Sequence, residues 1–312
     1  MADSASTLRR DCLRLSPEVE EALRAGSPVV ALETAIVAHG LPRPLNLTVA
    51  REIEAAVRAG GAIPATVGVL SGFPTVGLTD GELTHLATRP DVAKLSGRDL
   101  GIAMAKRVDG STTVAGTLAL AAAAGIRVMA TGGLGGVHRG ARESWDVSAD
   151  LVALQREPVL VVAAGVKSVL DVAATLEELE TLGVPVLGYR TQQFPGFLIS
   201  DSGHRLDWSV PDPEAAAAVF RAMRALGAHP GGILLANPID PSQQLDPAWH
   251  AELLAEALGQ LEAQGIRGKA VTPFLLNHLE RATGGESVRV NRALVLGNAR
   301  LAAQVARALA DG

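Results

Sequence analysis

Lys167 is the residue whose surroundings most clearly favour chemistry. It lies in LVVAAGVKSVLD (160–171), where an apolar run typical of a buried strand precedes a helix-like segment. Apolar neighbours favour the uncharged amine, which is the nucleophilic form and can make a Schiff base with a sugar or carbonyl carbon. The alternative is a lysine that extends from a strand end into solvent.

Glu33 interrupts a second apolar run, VVALETAIVAHG (29–40). An ionised carboxylate in such a run is costly unless it is paired, so its proton affinity should be raised. That property suits a general acid near neutral pH. The alternative is a structural carboxylate paired with an arginine.

The stretch ATGGLGGVHRG (130–140) places five glycines after a predicted strand. Glycines let backbone N–H groups approach an anion, and Thr131 and His138 add side-chain donors, so a phosphate monoester is the ligand we expect. The spacing is not that of a dinucleotide-binding loop, because His138 stands where the third glycine should be. A merely flexible turn is the alternative.

Asp146 and Asp150 lie four residues apart in SWDVSADLVAL (144–154). On a helix this spacing places both carboxylates on one face, where they could hold a hard divalent cation. Acidic residues are also common at helix starts for capping alone, with Ser148 or Asp146 as the cap.

Other polar residues carry weaker signals. Lys94 in KLSGRDL and Thr113 in GSTTVAGT stand at predicted helix entries. The amides of Asn237, Asn291 and Asn298 could read a base edge, although turn and cap hydrogen bonds explain them equally well.

The elements that must position these residues alternate between short apolar runs and amphipathic segments. PVVALETAIVA (28–38) is predicted to be a strand, the runs at 62–78 a hairpin, and 247–265 and 291–311 long helices. This alternation predicts a three-layer α/β/α fold with a mixed, largely parallel central sheet, in a single domain spanning 1–312. The stretch 190–214, rich in Pro and Gly, is interpreted as a surface excursion. Ligands of such folds bind beyond the carboxyl ends of the strands.

Composition excludes several classes of function. A net charge of −5 makes nucleic acid an improbable partner, and Cys12, the single cysteine, allows neither an intrachain disulfide nor a multi-cysteine metal site. The amino terminus lacks the apolar stretch of a signal peptide, and the apolar runs are too short to span a bilayer. The sequence therefore predicts a soluble, cytoplasmic protein with no membrane partner.

Taken together, the motifs resemble one family, the pseudouridine-5′-phosphate glycosidases, also called the indigoidine synthase A-like family. The matching stretches run from about residue 30 to the end of the chain, and they include ALETAIVAHGLPRP, KLSGRDL, ATGGLGGVHRGA, WDVSADL, AAGVKSVLD, GKAVTPFLL and SVRVNRALVLGNA.

The resemblance implies a homotrimer that uses a divalent metal, typically Mn²⁺. The reaction it implies converts pseudouridine 5′-phosphate and water reversibly into uracil and ribose 5-phosphate. Glu33 would be the proton donor, Lys167 the covalent nucleophile and Asp146 the metal ligand. The expected substrate contacts are Lys94, Thr113, Val114, Ser148, Ala149, Asp150 and, at the uracil, Asn291. Thr131 and His138 are expected phosphate ligands on chemical grounds alone.

Two other functions remain open at this point. A lysine-dependent sugar-phosphate aldolase fits the local chemistry but not the set of motifs. A non-catalytic accessory role in a biosynthetic cluster fits the second family name, although an intact set of Glu33, Asp146 and Lys167 argues against it.

Overall fold

The computed structural model describes residues 10–227, 229–266 and 271–312, apart from the side chains of 272 and 273. Residues 1–9 of the predicted domain and 268–270 of the motif GKAVTPFLL therefore lie outside the described part. The described strands are β1 Arg14–Leu15, β2 Val29–Leu32, β3 Ile63–Leu70, β4 Phe73–Val76, β5 Ala93–Leu95, β6 Gly110–Thr112, β7 Val128–Ala130, β8 Leu160–Ala163, β9 Val186–Tyr189, β10 Trp208–Val210 and β11 Ile233–Ala236.

The described α-helices are α1 Pro17–Arg24, α2 Leu45–Ala59, α3 Asp80–Thr88, α4 Leu100–Lys106, α5 Val114–Ala124, α6 Ala141–Ser144, α7 Ala149–Arg156, α8 Val172–Thr181, α9 Pro213–Leu226, α10 Pro247–Ala263, α11 Val271–Ala282 and α12 Glu286–Ala310. A π-helix spans Ile36–Gly40, and 3₁₀ turns span Arg10–Cys12 and Gly97–Asp99.

The strands form one mixed sheet in the order β1-β4-β3-β2-β7-β8-β11-β9-β10, with β6 joined to β3 and β5. Pairing is parallel except between β3 and β4 and between β3 and β6. The hairpin predicted at 62–78 is therefore confirmed, as is the mixed, largely parallel sheet.

Helices cover both faces of this sheet because its central strands are apolar on both sides. Val29 and Ala31 of β2 belong to the core beneath α1, α5, α7 and α8. Val30 and Leu32 point the other way, into the core beneath α2, α9 and α12. The three-layer α/β/α prediction is confirmed, while the single domain stays a prediction.

Two boundary predictions and one prediction of surface exposure are wrong. The strand predicted at 28–38 ends at Leu32, and a π-helix takes its second half. The last helix begins at Glu286 rather than at 291, and α11 precedes it. The stretch 190–214 is not a surface excursion, because Phe194 and Phe197 are buried in the core. None of the described helices is long and apolar enough to cross a membrane.

Candidate active site

The carboxyl ends of three neighbouring parallel strands bring the candidate chemistry together. Glu33 follows β2, Thr131 follows β7 and Lys167 follows β8, and these strands lie side by side in the sheet. Parallel strands end at the same edge, so residues about 35 to 135 positions apart in sequence meet there, where ligands of open α/β sheets bind.

A cavity of about 450 Å³ opens at this edge. Its size is suited to a nucleotide-sized ligand. Eleven of the twelve predicted site residues line it: Glu33, Lys94, Thr113, Val114, His138, Asp146, Ser148, Ala149, Asp150, Lys167 and Asn291. Thr131 is the exception.

Glu33 is a buried carboxyl with a raised proton affinity. The residue is only 9% exposed, and this burial raises the pKa of its carboxyl above the usual range. The nearby charge of Lys167 and a hydrogen bond from Thr131 oppose this rise without cancelling it. The predicted direction is confirmed, and it suits a carboxyl that carries a proton near neutral pH.

Lys167 has a fixed backbone and a half-buried side chain that reaches the cavity. Its N–H donates to the carbonyl of Leu134 at 3.1 Å, and Val166 forms a bridge with the same residue. The apolar β8 segment is fully buried behind it. The lysine is therefore a component of the cavity wall beside Glu33 and not a side chain that merely leaves a strand end for solvent.

Two helix N-termini also open on the cavity. Thr113 caps α5 by accepting from the N–H of Gly116 at 3.3 Å, and Ser148 caps α7 by accepting from Asp150 at 3.2 Å. Val114 and Ala149 are the first residues of these helices, so they offer backbone N–H groups rather than side-chain chemistry. Free N–H groups and the helix dipoles favour an anion at this position.

The buried carboxylate of Asp150 links three segments around the cavity by hydrogen bonds. Its carboxylate accepts from the N–H of Ala115 at 2.9 Å and from that of Gly135 at 2.8 Å, and the residue is only 6% exposed. The first turn of α5 and the glycine-rich turn are thus tied to α7. Any contact with a substrate would be added to this structural role.

Four amides of the glycine-rich turn are already used within the protein, so the anion-binding role predicted for this turn stays a prediction for its other amides. The amides of Leu134, Gly135, Val137 and His138 all donate to groups of the protein itself. The glycines instead allow close packing, since a Cβ at 135 would lie 2.2 Å from Oγ of Ser148. A phosphate is better accommodated at the two helix N-termini.

The two side chains predicted to assist that turn are also placed differently. Thr131 lies behind Glu33 and donates its hydroxyl hydrogen bond to Oε1 of that residue. His138 lies on the cavity wall, where burial is the main factor that lowers its pKa, which favours the neutral ring, a weaker phosphate ligand than the charged one. Phosphate binding by either residue is therefore not supported by its placement.

Asp146 fits a hydrated cation better than an enclosed metal site. Its carboxylate is about one-third exposed on the cavity wall, with Oδ2 3.9 Å from Nδ1 of His138. Among the described residues, no three His, Cys, Asp or Glu side chains surround a common point. A hard cation held by one carboxylate, waters and a phosphate is consistent with this donor set. The expected helical face shared with Asp150 does not form, because α7 begins only at Ala149.

The three candidate amides separate into one cavity residue and two structural ones. Asn291 lines the cavity, and its amide oxygen is buried without a hydrogen-bond partner. Asn298 donates to the carbonyl of Thr131 at 2.7 Å, and Asn237 donates to Asn298 at 2.9 Å. Only Asn291 is therefore available to bind a ligand.

Sequence reasoning missed several cavity residues. Phe197 lines the cavity with a φ of +68°, a conformation that bulky residues rarely adopt, and Leu276 reaches it from α11. Trp145 lies at the rim and is 86% exposed. Arg98 adds a cation to the same wall. The aromatic residues inside a Pro- and Gly-rich stretch were the only available signal for Phe197.

Fold and cavity define the class of protein: an α/β/α protein with a lysine and a buried carboxyl on one cavity at the carboxyl edge of its sheet. The family model described as indigoidine synthase A like protein matches residues 18–308. The chain belongs to this family, so the resemblance is confirmed, and the match begins earlier than the motifs near residue 30.

Relatives of known name are similar along nearly the whole chain. A protein of Salinispora tropica named pseudouridine-5′-phosphate glycosidase is 61% identical, covering 96% of this chain and 92% of that protein. One of Saccharopolyspora erythraea with the same name is 54% identical, covering 95% and 97%.

Two solved structures are also similar to nearly the whole chain. The prealnumycin C-glycosynthase in complex with ribulose 5-phosphate superposes with a TM-score of 0.89 at 40% identity, covering 96% of this chain and 97% of that one. An indigoidine synthase A-like protein of Thermotoga maritima superposes with a TM-score of 0.86 at 34% identity, and the match covers 96% of both chains.

Proposed function

We propose that the protein cleaves the C–C glycosidic bond of pseudouridine 5′-phosphate with water, reversibly, to give uracil and ribose 5-phosphate. The observation that carries this proposal is the meeting of Lys167 with the buried carboxyl of Glu33 in one cavity. The names of the relatives and the pentulose phosphate bound to the similar C-glycosynthase support the choice of substrate.

The bond to be broken joins ribose C1′ to uracil C5, so the leaving group has no heteroatom to protonate. The two-carboxylate scheme of ordinary glycosidases therefore does not transfer. The Lys167 amine instead bonds to C1′ as the C1′–O4′ bond opens, and the proton that the nitrogen loses passes to the ring oxygen. The nitrogen lone pair then forms C=N as the C1′–C5 bond breaks, and C5 takes a proton from Glu33. Water hydrolyses the iminium, which releases ribose 5-phosphate and regenerates the amine, and the proton set free returns to Glu33.

The walls of the cavity suit the two ends of such a nucleotide. The N-termini of α5 and α7, with Lys94 near them, would bind the phosphate through the N–H groups of Val114 and Ala149. The unpartnered amide oxygen of Asn291 would accept from a uracil N–H. Binding at both ends would hold C1′ against the lysine, which is how positioning lowers a barrier.

Asp146 would hold a divalent cation, taken to be Mn²⁺, which supplies positive charge to fix the phosphate end. A homotrimer, a cytoplasmic location and a role in breaking down pseudouridine 5′-phosphate belong to the same proposal. They rest on the family resemblance and, for the location, on the single cysteine.

The decisive experiment follows uracil release by ultraviolet absorbance and traps the covalent adduct. Borohydride with ribose 5-phosphate should reduce an imine onto Lys167, detectable by mass spectrometry, and Lys167→Ala should abolish both trapping and turnover. Lys106→Ala, which removes a lysine of α4 outside the cavity lining, is the matched control and should retain both. Uracil release by Lys167→Ala at the wild-type rate would exclude the covalent mechanism.

Two further comparisons separate the alternatives. An aldolase would cleave deoxyribose 5-phosphate in preference to pseudouridine 5′-phosphate, and an accessory protein would release no uracil at all. Glu33→Gln should still form the trapped adduct from ribose 5-phosphate while losing turnover of the nucleotide.

A further inference from the structure

The hydroxyl of Thr131 is dedicated to Glu33. Thr131 is 1% exposed and is absent from the cavity lining, yet it donates a hydrogen bond to Oε1 of the buried carboxyl. A substrate in the cavity therefore has no access to this hydroxyl. Hydrogen bonds from a fixed donor to a carboxylate stabilise the ionised form and restrict the orientation of the group.

Asn298 in turn fixes the backbone of Thr131. Its amide nitrogen donates to the carbonyl of Thr131 at 2.7 Å and to that of Gly132 at 3.2 Å. Its oxygen accepts from Asn237 at 2.9 Å, and the residue is fully buried. A buried amide on the apolar face of a helix is costly unless it is paired, and here both ends of the amide are used.

We propose that Thr131 and Asn298 are positioning residues for the acid: Asn298 holds the turn after β7, and the Thr131 hydroxyl orients Glu33 toward the reacting carbon. This inference rests on the proposed function, in which Glu33 is the proton donor. Neither residue touches the substrate. Their effect is exerted through the orientation and the protonation of one carboxyl.

The direction in which loss of the Thr131 hydroxyl should shift the Glu33 pKa follows from the groups around that carboxyl. Lys167 after β8 and Lys94 of β5 lower the pKa of its carboxyl, while Asp150 of α7 and burial raise it. All of these remain when only the Thr131 hydroxyl is removed. Because that hydroxyl lowers the pKa, its loss raises it further. An acid acts in its protonated form, so the alkaline limb of the kcat/KM profile should move to higher pH, by about one unit.

Thr131→Val and Thr131→Ser form the matched pair that tests this. The valine keeps the shape and loses the donor, whereas the serine keeps the hydroxyl. We expect the alkaline limb to move upward in Thr131→Val and to stay at the wild-type pH in Thr131→Ser. The titration of the Glu33 carboxyl, followed by carbon-13 NMR and assigned against Glu33→Gln, should move in parallel. A Thr131→Val titration within a few tenths of a unit of wild type overturns the proposal.

A double-mutant cycle tests the part assigned to Asn298. Asn298→Ala alone should move the limb in the same direction, and it should add almost nothing to Thr131→Val, since both act through one hydrogen bond. If Asn298→Ala fails to fold, Asn237→Ala can replace it in the cycle, because it removes the partner of Asn298 without touching Thr131. Shifts that add in the double variant would show that Asn298 does not act through Thr131.

Failure of this inference differs from failure of the proposed function. A wild-type protein that releases no uracil refutes the function, whereas the NMR titration needs no substrate and still tests the hydrogen bond. Uracil release with an unmoved Glu33 titration in Thr131→Val refutes the inference alone.

Discussion

Asp150→Ala is expected to destabilise the protein far more than the loss of an ordinary helix cap. The carboxylate accepts two backbone N–H groups, at 2.9 and 2.8 Å, and is almost fully buried. A hydrogen bond to a charged group contributes about 1.5 to 3 kcal/mol, so losing both should lower the free energy of unfolding by about 3 to 6 kcal/mol. That is a large part of the roughly 5 to 15 kcal/mol available to a typical domain.

Chemical denaturation measures this, with Asp171→Ala as the matched control. Asp171 accepts one N–H, from Ala174 at 3.0 Å, at the start of α8, and removing such a cap costs about 1 kcal/mol. Hydrogen exchange supplies a local readout, because the amides of Ala115 and Gly135 should lose protection in Asp150→Ala. Asp150→Asn should fall between the two variants, since its amide can accept from only one of the two N–H groups.

Equal destabilisation by Asp150→Ala and Asp171→Ala would refute the reasoning, because it would mean that the buried carboxylate contributes no more than a part-buried cap. Unchanged protection of Ala115 and Gly135 would refute it as well. The N–H groups at the start of α5 are proposed to bind phosphate, so the KM for pseudouridine 5′-phosphate should also rise in Asp150→Asn.

Three shorter predictions concern other residues. Asn291→Leu removes an unpartnered buried oxygen, so it should raise KM for the nucleotide without lowering the melting temperature; an unchanged KM would contradict the assigned contact. Asp146→Asn should weaken Mn²⁺ binding by at least about tenfold, measured by electron paramagnetic resonance of the free ion, and equal affinity would exclude Asp146 as the ligand. Burial raises the pKa of Glu157 from 4.5 to about 7, so the folded state prefers the protonated carboxyl, and this contribution is complete below pH 4.5 and lost as pH rises through 7. Glu157→Gln should therefore raise the melting temperature at pH 8 and leave it unchanged near pH 4. An equal change in melting temperature at the two pH values would contradict the raised pKa of Glu157.

The proposed catalytic pair could be predicted from sequence because it depends on local pattern. Glu33 and Lys167 each follow or interrupt an apolar run, and parallel strands bring such positions to one edge of the sheet. Family motifs then selected them from other polar residues. The partners of these residues could not be predicted in the same way. The hydrogen bond from Thr131 to Glu33 depends on the pairing of β2 with β7, which no spacing along the chain reveals.

The errors have a common physical origin in long-range packing. Pro and Gly in 190–214 correctly indicate an irregular backbone, but composition does not say whether its aromatic rings are buried. Phe197 fits beside Gly133, where a Cβ would lie 2.7 Å from the ring, so a glycine in one motif makes room for an aromatic in another. Val114 became an expected contact only through the family resemblance, because an apolar residue by itself suggests a contact only once it is known to begin a helix that opens on the cavity.

The helix α12 carries one residue proposed to bind the base and another proposed to position the proton donor. Asn291 and Asn298 lie seven residues apart, about two turns, so they share one face of the helix at a rise of roughly 10 Å. The first lines the cavity where uracil is proposed to bind, and the second holds the turn that carries Thr131 and, through it, Glu33. Because α12 also packs between α2 and α9 against the sheet, both asparagines are held by one well-packed helix. Displacement of this helix should therefore alter base binding and proton delivery together, whereas a change at Lys167 alone should leave base binding intact and remove the covalent step.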